Sequence, residues 1–249
     1  MSSGKRAVVI GGSGGVGAAI CAALARDGFD VALTWRSNRR GATAAAEAVR
    51  AAGRRATTAQ LDLADDGAVS ALFEGLAGPI HAVVHAAGPR VPQQHTGAIT
   101  PAEFRQIVDA DLHGFFAVVH AALPRLRTSG GALVALSTAG LRRHPPGDVL
   151  STAPKAAVEA LVRAVAREEG RFGVRANAVA LGVIETGMFH DLVESEELSS
   201  EWLVAARKNT PLRRFGTADE VGEAAAFLAG PRSSYITGQV LSLDGGYGI

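Results

Sequence analysis

Short apolar runs alternate with longer stretches of mixed character along nearly the whole chain. Ala7–Ile10, Val31–Trp35, Arg55–Leu61, His81–His85 and Gly131–Leu136 read as strands. Most are continuously apolar instead of alternating, the pattern of strands covered on both faces. Between them lie helical patterns: an alanine-rich one opening at Gly15, one over Ala44–Ala52, a long one over Pro101–Leu126 and another from Ser151 onward. In the Pro101–Leu126 segment, Phe104, Ile107, Val108, Leu112, Phe115, Phe116, Val119 and Ala122 fall on one broad helical face. Further on, Thr217-Ala218-Asp219-Glu220 is a capping box that opens a helix. Strands alternating with helices predict an α/β protein with a parallel sheet.

The first strand-to-helix junction is the most informative stretch. Ile10 runs into Gly11-Gly12-Ser13-Gly14-Gly15-Val16-Gly17, a turn rich in the residue that tolerates unusual backbone angles and lets a ligand approach bare backbone. The helix that follows offers its first N–H groups to an anion. Gly12, Gly14 and Gly17 fit the dinucleotide spacing G-x-G-x-x-G, and Gly11, Gly15 and Gly17 fit G-x-x-x-G-x-G. Both point to nucleotide binding in a Rossmann fold, a single doubly wound parallel sheet with helices on both faces. At the end of the second strand, where such folds meet the adenosine ribose, stands Arg36-Ser37-Asn38-Arg39-Arg40 with no acid. Arginine there accommodates a 2′-phosphate and an acid would select a free hydroxyl, so NADP(H) is expected over NAD(H).

Composition narrows the class. Hydrophobic residues make up 47% and charged residues 20%, with a formal net charge of +1. Those values fit a globular protein and give no reason to expect a nucleic-acid or membrane-surface partner. The one cysteine, Cys21, excludes an intrachain disulfide and is expected in the core. Met1–Arg6 is too short for a signal peptide, and no apolar run reaches the length of a membrane span, so a cytoplasmic protein is expected. No linker or repeat breaks residues 1–249, which are expected to form one domain, and no metal site is expected.

Several stretches together resemble the short-chain dehydrogenase/reductase family. Besides the glycine turn, they are Ala87-Gly88, Asp111-Leu112-His113-Gly114, Lys155 with a small residue after it, Val174–Thr186 and Tyr235–Gly246. The resemblance covers nearly the whole chain and is closest to bacterial 3-oxoacyl-[acyl-carrier-protein] reductases and related polyketide ketoreductases. It implies that Gly11, Ser13, Gly14, Gly15, Val16 and Gly17 cradle the pyrophosphate, with Arg36, Ser37 and Asn38 at the ribose. It further implies that Asp62 and Leu63 meet the adenine and that Ala87 and Gly88 lie against the cofactor. Lys155 would bind the nicotinamide ribose, and Gly182, Ile184 and Thr186 would hold the carboxamide. Gly187–Asn209, with Met188, Phe189, His190 and Trp202, corresponds to the variable substrate lid. The substrate carbonyl would meet a hydroxyl at the end of the fifth strand, either Ser137 or Thr138. The family's long helices and C-terminal segment form its interfaces, which implies a homotetramer, with a hetero-oligomer as alternative.

The sequence departs from the family where the chemistry is done. The pattern Tyr-x-x-x-Lys retains Lys155 but has Ser151 in place of the tyrosine. An alkanol is far too weak an acid for neutral pH, and a positioned acid is worth roughly 10²–10⁴ in rate. Asp111 stands where the family has an asparagine that holds a water in a proton relay; facing inward, it would pair with Lys155. His85 replaces an asparagine and Leu181 a proline. Other acids within reach of the site are Lys155 through a water, His113 beside Asp111, and His144 or Asp148 in the loop before Ser151. Three readings follow: a ketone reductase, acting on a 3-oxoacyl thioester or polyketide-type substrate, that uses another acid; a family member turned to non-redox proton transfer, dehydration or cyclisation; and a cofactor-binding subunit without turnover. An apolar lid of mixed charge is compatible with an acyl chain on a small molecule or a carrier protein.

Overall fold

The structure, a computed structural model, describes residues 4–195 and 198–249. Seven parallel strands form one sheet: β1 (Arg6–Ile10), β2 (Asp30–Trp35), β3 (Ala56–Gln60), β4 (Ala82–His85), β5 (Ala132–Thr138), β6 (Arg175–Leu181) and β7 (Val240–Leu243). Their spatial order is β3-β2-β1-β4-β5-β6-β7. The order reverses between β1 and β4, whose connections leave to opposite faces and open a crevice at their C-terminal ends. This is the doubly wound sheet expected from the alternation of apolar runs.

The helices are α1 (Gly15–Arg26), α2 (Arg39–Ala51), α3 (Asp66–Gly75), α4 (Pro101–Val108), α5 (Gly114–Arg127), α6 (Gly140–Arg143), α7 (Val149–Glu169), α8 (Met188–Glu194), α9 (Ser200–Asn209) and α10 (Ala218–Ala229). Alternate residues of one strand serve different cores. Ala7 and Val9 of β1 pack with Ile20, Leu24, Val49 and Val221 under α1, α2 and α10. Val8 and Ile10 pack with Phe73, Phe115, Val158 and Val162 under α3, α5 and α7. Each of the larger side chains contributes about 1.5–3 kcal/mol by leaving water, which is why these strands read as unbroken apolar runs. Cys21 is buried in the first core, where desolvation pushes its thiol up to about 12.

Two local expectations need correction. Helix α2 starts at Arg39, earlier than Ala44, because Asn38 Oδ1 accepts from Gly41 N at 2.9 Å and caps it. The long helix from Pro101 carries no single apolar face. A π-helical turn, Asp109–His113, joins α4 to α5 and adds one residue to the helical repeat. Beyond it Phe115, Val119 and Ala122 are buried, whereas α4 buries no residue, and Phe104 and Phe116 are 39% and 53% exposed. By length and mean hydropathy alone, Pro101–Arg127 reaches the lower range for a membrane-spanning helix, but polar and charged residues interrupt it and the buried side chains of its α5 part pack in the second core. The capping box at Thr217 is present, with the Thr217 and Glu220 side chains each bonded to the other's backbone N–H.

Candidate active site

At the glycine turn, steric demand accounts for the sequence. Gly11 has φ +82°, and a Cβ on it would come within 2.7 Å of Ala87 N. A Cβ on Gly17 would strike the Gly11 carbonyl oxygen, and one on Gly15 would strike Thr186 Oγ1. Gly14 differs: around its missing Cβ the space is open apart from the Gly11 oxygen at 3.9 Å. It is also the N-cap of α1, which has no side-chain cap and no acid in its first turn. A twelve-residue helix therefore turns unclaimed N–H groups and its positive end toward a cavity of about 840 Å³. A cradle closed to side chains and open to an anion fits a dinucleotide pyrophosphate.

The cavity is lined by Gly11, Ser13, Gly14, Arg36, Ser37, Asn38, Asp62, Leu63, Ala87 and Gly88, so the structure brings these ten expected cofactor residues together. Asn38 is also structural: beside capping α2, its Nδ2 donates to the Ser13 carbonyl at 3.0 Å and ties the turn down. Asp62 Oδ1 accepts from Ala64 N at 3.1 Å. Arg36 is exposed, and its side chain has no partner among the described residues. Val16 packs against the first core, and Gly17 lies buried beneath Gly11. Gly182 and Ile184 are fixed by backbone contacts, Gly182 N to Leu243 O at 2.9 Å and a bridge from Ile184 to Gly216, which leaves Thr186 beside Gly15. Residues 196–197 of the expected lid, and the side chain of Met188, lie outside the described residues. Ala102, Arg105, Gln106 and Asp109 of the α4 side, which sequence reasoning missed, also line the cavity with His113. Their helical spacing traces one stripe, a signal that was present but unused.

On the other side of β4, the polar residues are arranged in pairs. Lys155 Nζ donates to Asp111 Oδ1 at 2.7 Å, with the two side chains 16% and 4% exposed. The π turn carries Asp111 inward, although acids within helices usually face solvent. Beside the pair, His85 ends β4 fully buried and edge-on to Phe115, their ring centroids 5.1 Å apart. Burial, reinforced by the charge on Lys155, holds its imidazole down at about 3, and neither ring nitrogen has a partner among the described residues. His113, by contrast, pairs with Asp109 at 3.1 Å and is largely exposed.

The end of β5 separates the two candidate hydroxyls. Ser137 is buried, and its Oγ donates to Glu159 Oε1 at 2.8 Å. Thr138 is only partly buried; its Oγ1 accepts from Gly140 N at 3.0 Å, leaving its own O–H free to donate. Ser151, on the first turn of α7, is partly exposed, and its hydroxyl makes no hydrogen bond among the described residues.

A family model described as Enoyl-(Acyl carrier protein) reductase matches residues 11–248. The chain belongs to the short-chain dehydrogenase/reductase family. It is 34% identical to the 3-oxoacyl-[acyl-carrier-protein] reductase FabG of Chlamydia muridarum over 246 residues, covering 97% of this chain and 96% of that one. It is 32% identical to the FabG of Staphylococcus aureus over 257 residues, covering 99% of each. Among solved structures, levodione reductase superposes with a TM-score of 0.90 at 30% identity, over 98% of this chain and 97% of that one. The F189W variant of actinorhodin polyketide ketoreductase with NADPH gives 0.91 at 26% identity, over 100% and 98%. The chain is thus a short-chain oxidoreductase, of a family that uses nicotinamide cofactors.

Proposed function

We propose that this protein is an NADP(H)-dependent ketone reductase acting on a 3-oxoacyl thioester or a polyketide-type ketone. The observation that carries the reading is the nearly buried Lys155–Asp111 pair, together with a Thr138 hydroxyl that is free to donate. A bound reduced nicotinamide supplies a hydride. The residues do the rest: Thr138 donates a hydrogen bond to the substrate carbonyl, and the fixed ammonium of Lys155 stabilises negative charge developing on that oxygen. Asp111 keeps the ammonium in place. NADP(H) is the preferred cofactor because Arg36 offers an unpaired guanidinium at the ribose end and no acid at the tip of β2 repels a 2′-phosphate.

The relatives' names, and the near-complete coverage, support an acyl group carried on a thioester as substrate. The family resemblance supports a homotetramer through α4, α5, α7 and the C-terminal segment; Phe104, Phe116 and Leu241 are exposed there in the monomer. The direct test has two steps. NADPH and NADH are titrated against the protein, and absorbance of the reduced nicotinamide is followed on adding a 3-oxoacyl thioester. Tighter binding of NADPH and its substrate-dependent oxidation are expected. Cofactor binding without consumption on any ketone would instead favour non-redox proton transfer, the alternative that Ser151 raises.

A further inference from the structure

The proposed reduction lacks a proton donor at residue 151, and the chain's two tyrosines do not replace it there. Tyr235 is fully exposed. Tyr247, in the C-terminal tail, lies under the Arg143 guanidinium at 5.4 Å; burial outweighs that charge and pushes its phenol above its ordinary value, making it a weaker acid. His144 is exposed in a left-handed turn, and His113 is taken by Asp109.

Asp148 is differently placed. It holds the N-cap position of α7, where an aspartate normally caps the helix, yet its side chain makes no capping bond. Its backbone carbonyl alone serves the helix, accepting from Ser151 N at 3.0 Å and Thr152 N at 2.9 Å. The carboxyl instead turns toward the end of β5. A Cβ built on Gly140 would lie 2.6 Å from Asp148 Oδ2 and 3.2 Å from Thr138 Oγ1, so the acid and the free hydroxyl flank the same point. Among the described residues no ion pair holds it; its one side-chain partner is Gln93, whose Nε2 donates to Oδ1 at 3.5 Å. The groups around it are Gln93 from the loop after β4, Thr138 and Gly140 from β5 and α6, Thr152 from α7, and Tyr247 with Arg143 stacked on it.

We propose that Asp148 is the general acid of this site, donating at Thr138 the proton that the missing tyrosine would give. The inference rests on the ketone-reductase reading. As hydride from reduced nicotinamide reaches the carbonyl carbon, the C=O π pair moves onto oxygen. An O–H bond forms there as the carboxyl O–H of Asp148 breaks, and the carboxylate recovers its proton from water. Burial raises the pKa of this carboxyl above the ordinary aspartate range, which keeps more of it in the donating form.

The test compares the parent, Asp148→Asn, Ser151→Tyr and the double variant, assayed with NADPH and a 3-oxoacyl thioester across pH. Asp148→Asn is expected to lower kcat about 10²-fold with KM little changed. In the parent, reduction should slow as pH rises through the carboxyl's titration, and that limb should vanish in Asp148→Asn. A tyrosine at 151 should supply its own acid, so the same Asn substitution should cost little in the Ser151→Tyr background; a merely structural Asp148 would cost as much in both. Carbon-detected NMR titration of the Asp148 carboxyl in the free protein gives a readout independent of turnover, and a raised value is expected. If Asp148→Asn keeps the parent's rate and pH profile, or the carboxyl titrates at its ordinary value, the inference is overturned and the reductase reading stands. If the parent reduces no ketone, the reductase reading fails and takes the inference with it.

Discussion

The glycine turn after β1 and the first turn of α7 stand on opposite sides of β4 and follow different kinds of rule. At the turn, two glycines are demanded by atoms of the backbone: the Gly11 oxygen lies above Gly17, and Ala87 N lies beside Gly11. No side chain can be substituted at these two positions without moving main chain, so a chain that builds this cradle must keep them. At α7 the requirements are chemical. Lys155 is held by Asp111, Ser137 by Glu159, and the Ser151 hydroxyl has no hydrogen-bond partner among the described residues. Chemical requirements can be met by a different residue in a different place, and here one of them has changed.

That contrast predicts a hierarchy of effects. The largest belongs to Lys155→Met, which leaves the Asp111 carboxylate nearly buried and unpaired. Unfolding free energy should fall by about 3–5 kcal/mol in urea titrations, and adding Asp111→Leu should restore most of it. A stable Lys155→Met single variant would show that the pair is held less tightly than its geometry implies. Next is His85. Its folded value, about 3, lies below the ordinary 6.5, so protons favour the unfolded chain. The stability that depends on a neutral imidazole is intact above pH 6.5 and drains as pH falls toward 3. The slope from this group approaches about 1.4 kcal/mol per pH unit, or about 2 kcal/mol between pH 6.5 and 5. His85→Leu should flatten that limb in denaturation curves, and an unchanged slope would assign it to other groups.

Smaller effects separate the two regions by what they change. Arg36→Glu should narrow or reverse the preference for NADPH, by about tenfold in Kd or roughly 1.4 kcal/mol, without altering the melting temperature. Equal affinities in the parent would remove the basis for the NADP(H) assignment. Ser137→Ala should cost about 1 kcal/mol of stability with little effect on turnover, whereas Thr138→Val should do the reverse. Matching losses of turnover in both would mean that the two hydroxyls act together.

What could be read beforehand follows the same division. The strands were legible because β1, β4 and β5 feed cores on both faces, and the glycine turn because its rule is steric. Ser137 and Thr138 could not be separated: strand alternation sends them to opposite faces but does not say which face holds Glu159. Asp148 looked like one loop acid among several, since a sequence shows that an aspartate occupies an N-cap position but not that its side chain declines the role. The exposure of Phe104 and Phe116 was invisible for another reason. Assigning a helical face assumes a constant repeat, and the turn at Asp109–His113 breaks it.

That π turn makes the helix sensitive to length in a way it is not to composition. It separates a segment that lines the cavity, through Arg105 and Gln106, from one keyed to the core, through Phe115 and Leu126. Removing one residue between Asp109 and His113 would let the helix relax to an uninterrupted α repeat and rotate one segment against the other by about 100°. Either Phe115 would leave the core or the cavity wall would turn away. Insertions and deletions in this stretch should therefore be excluded while many substitutions are accepted, and the spacing between Pro101 and Gly114 is itself a functional property of the chain.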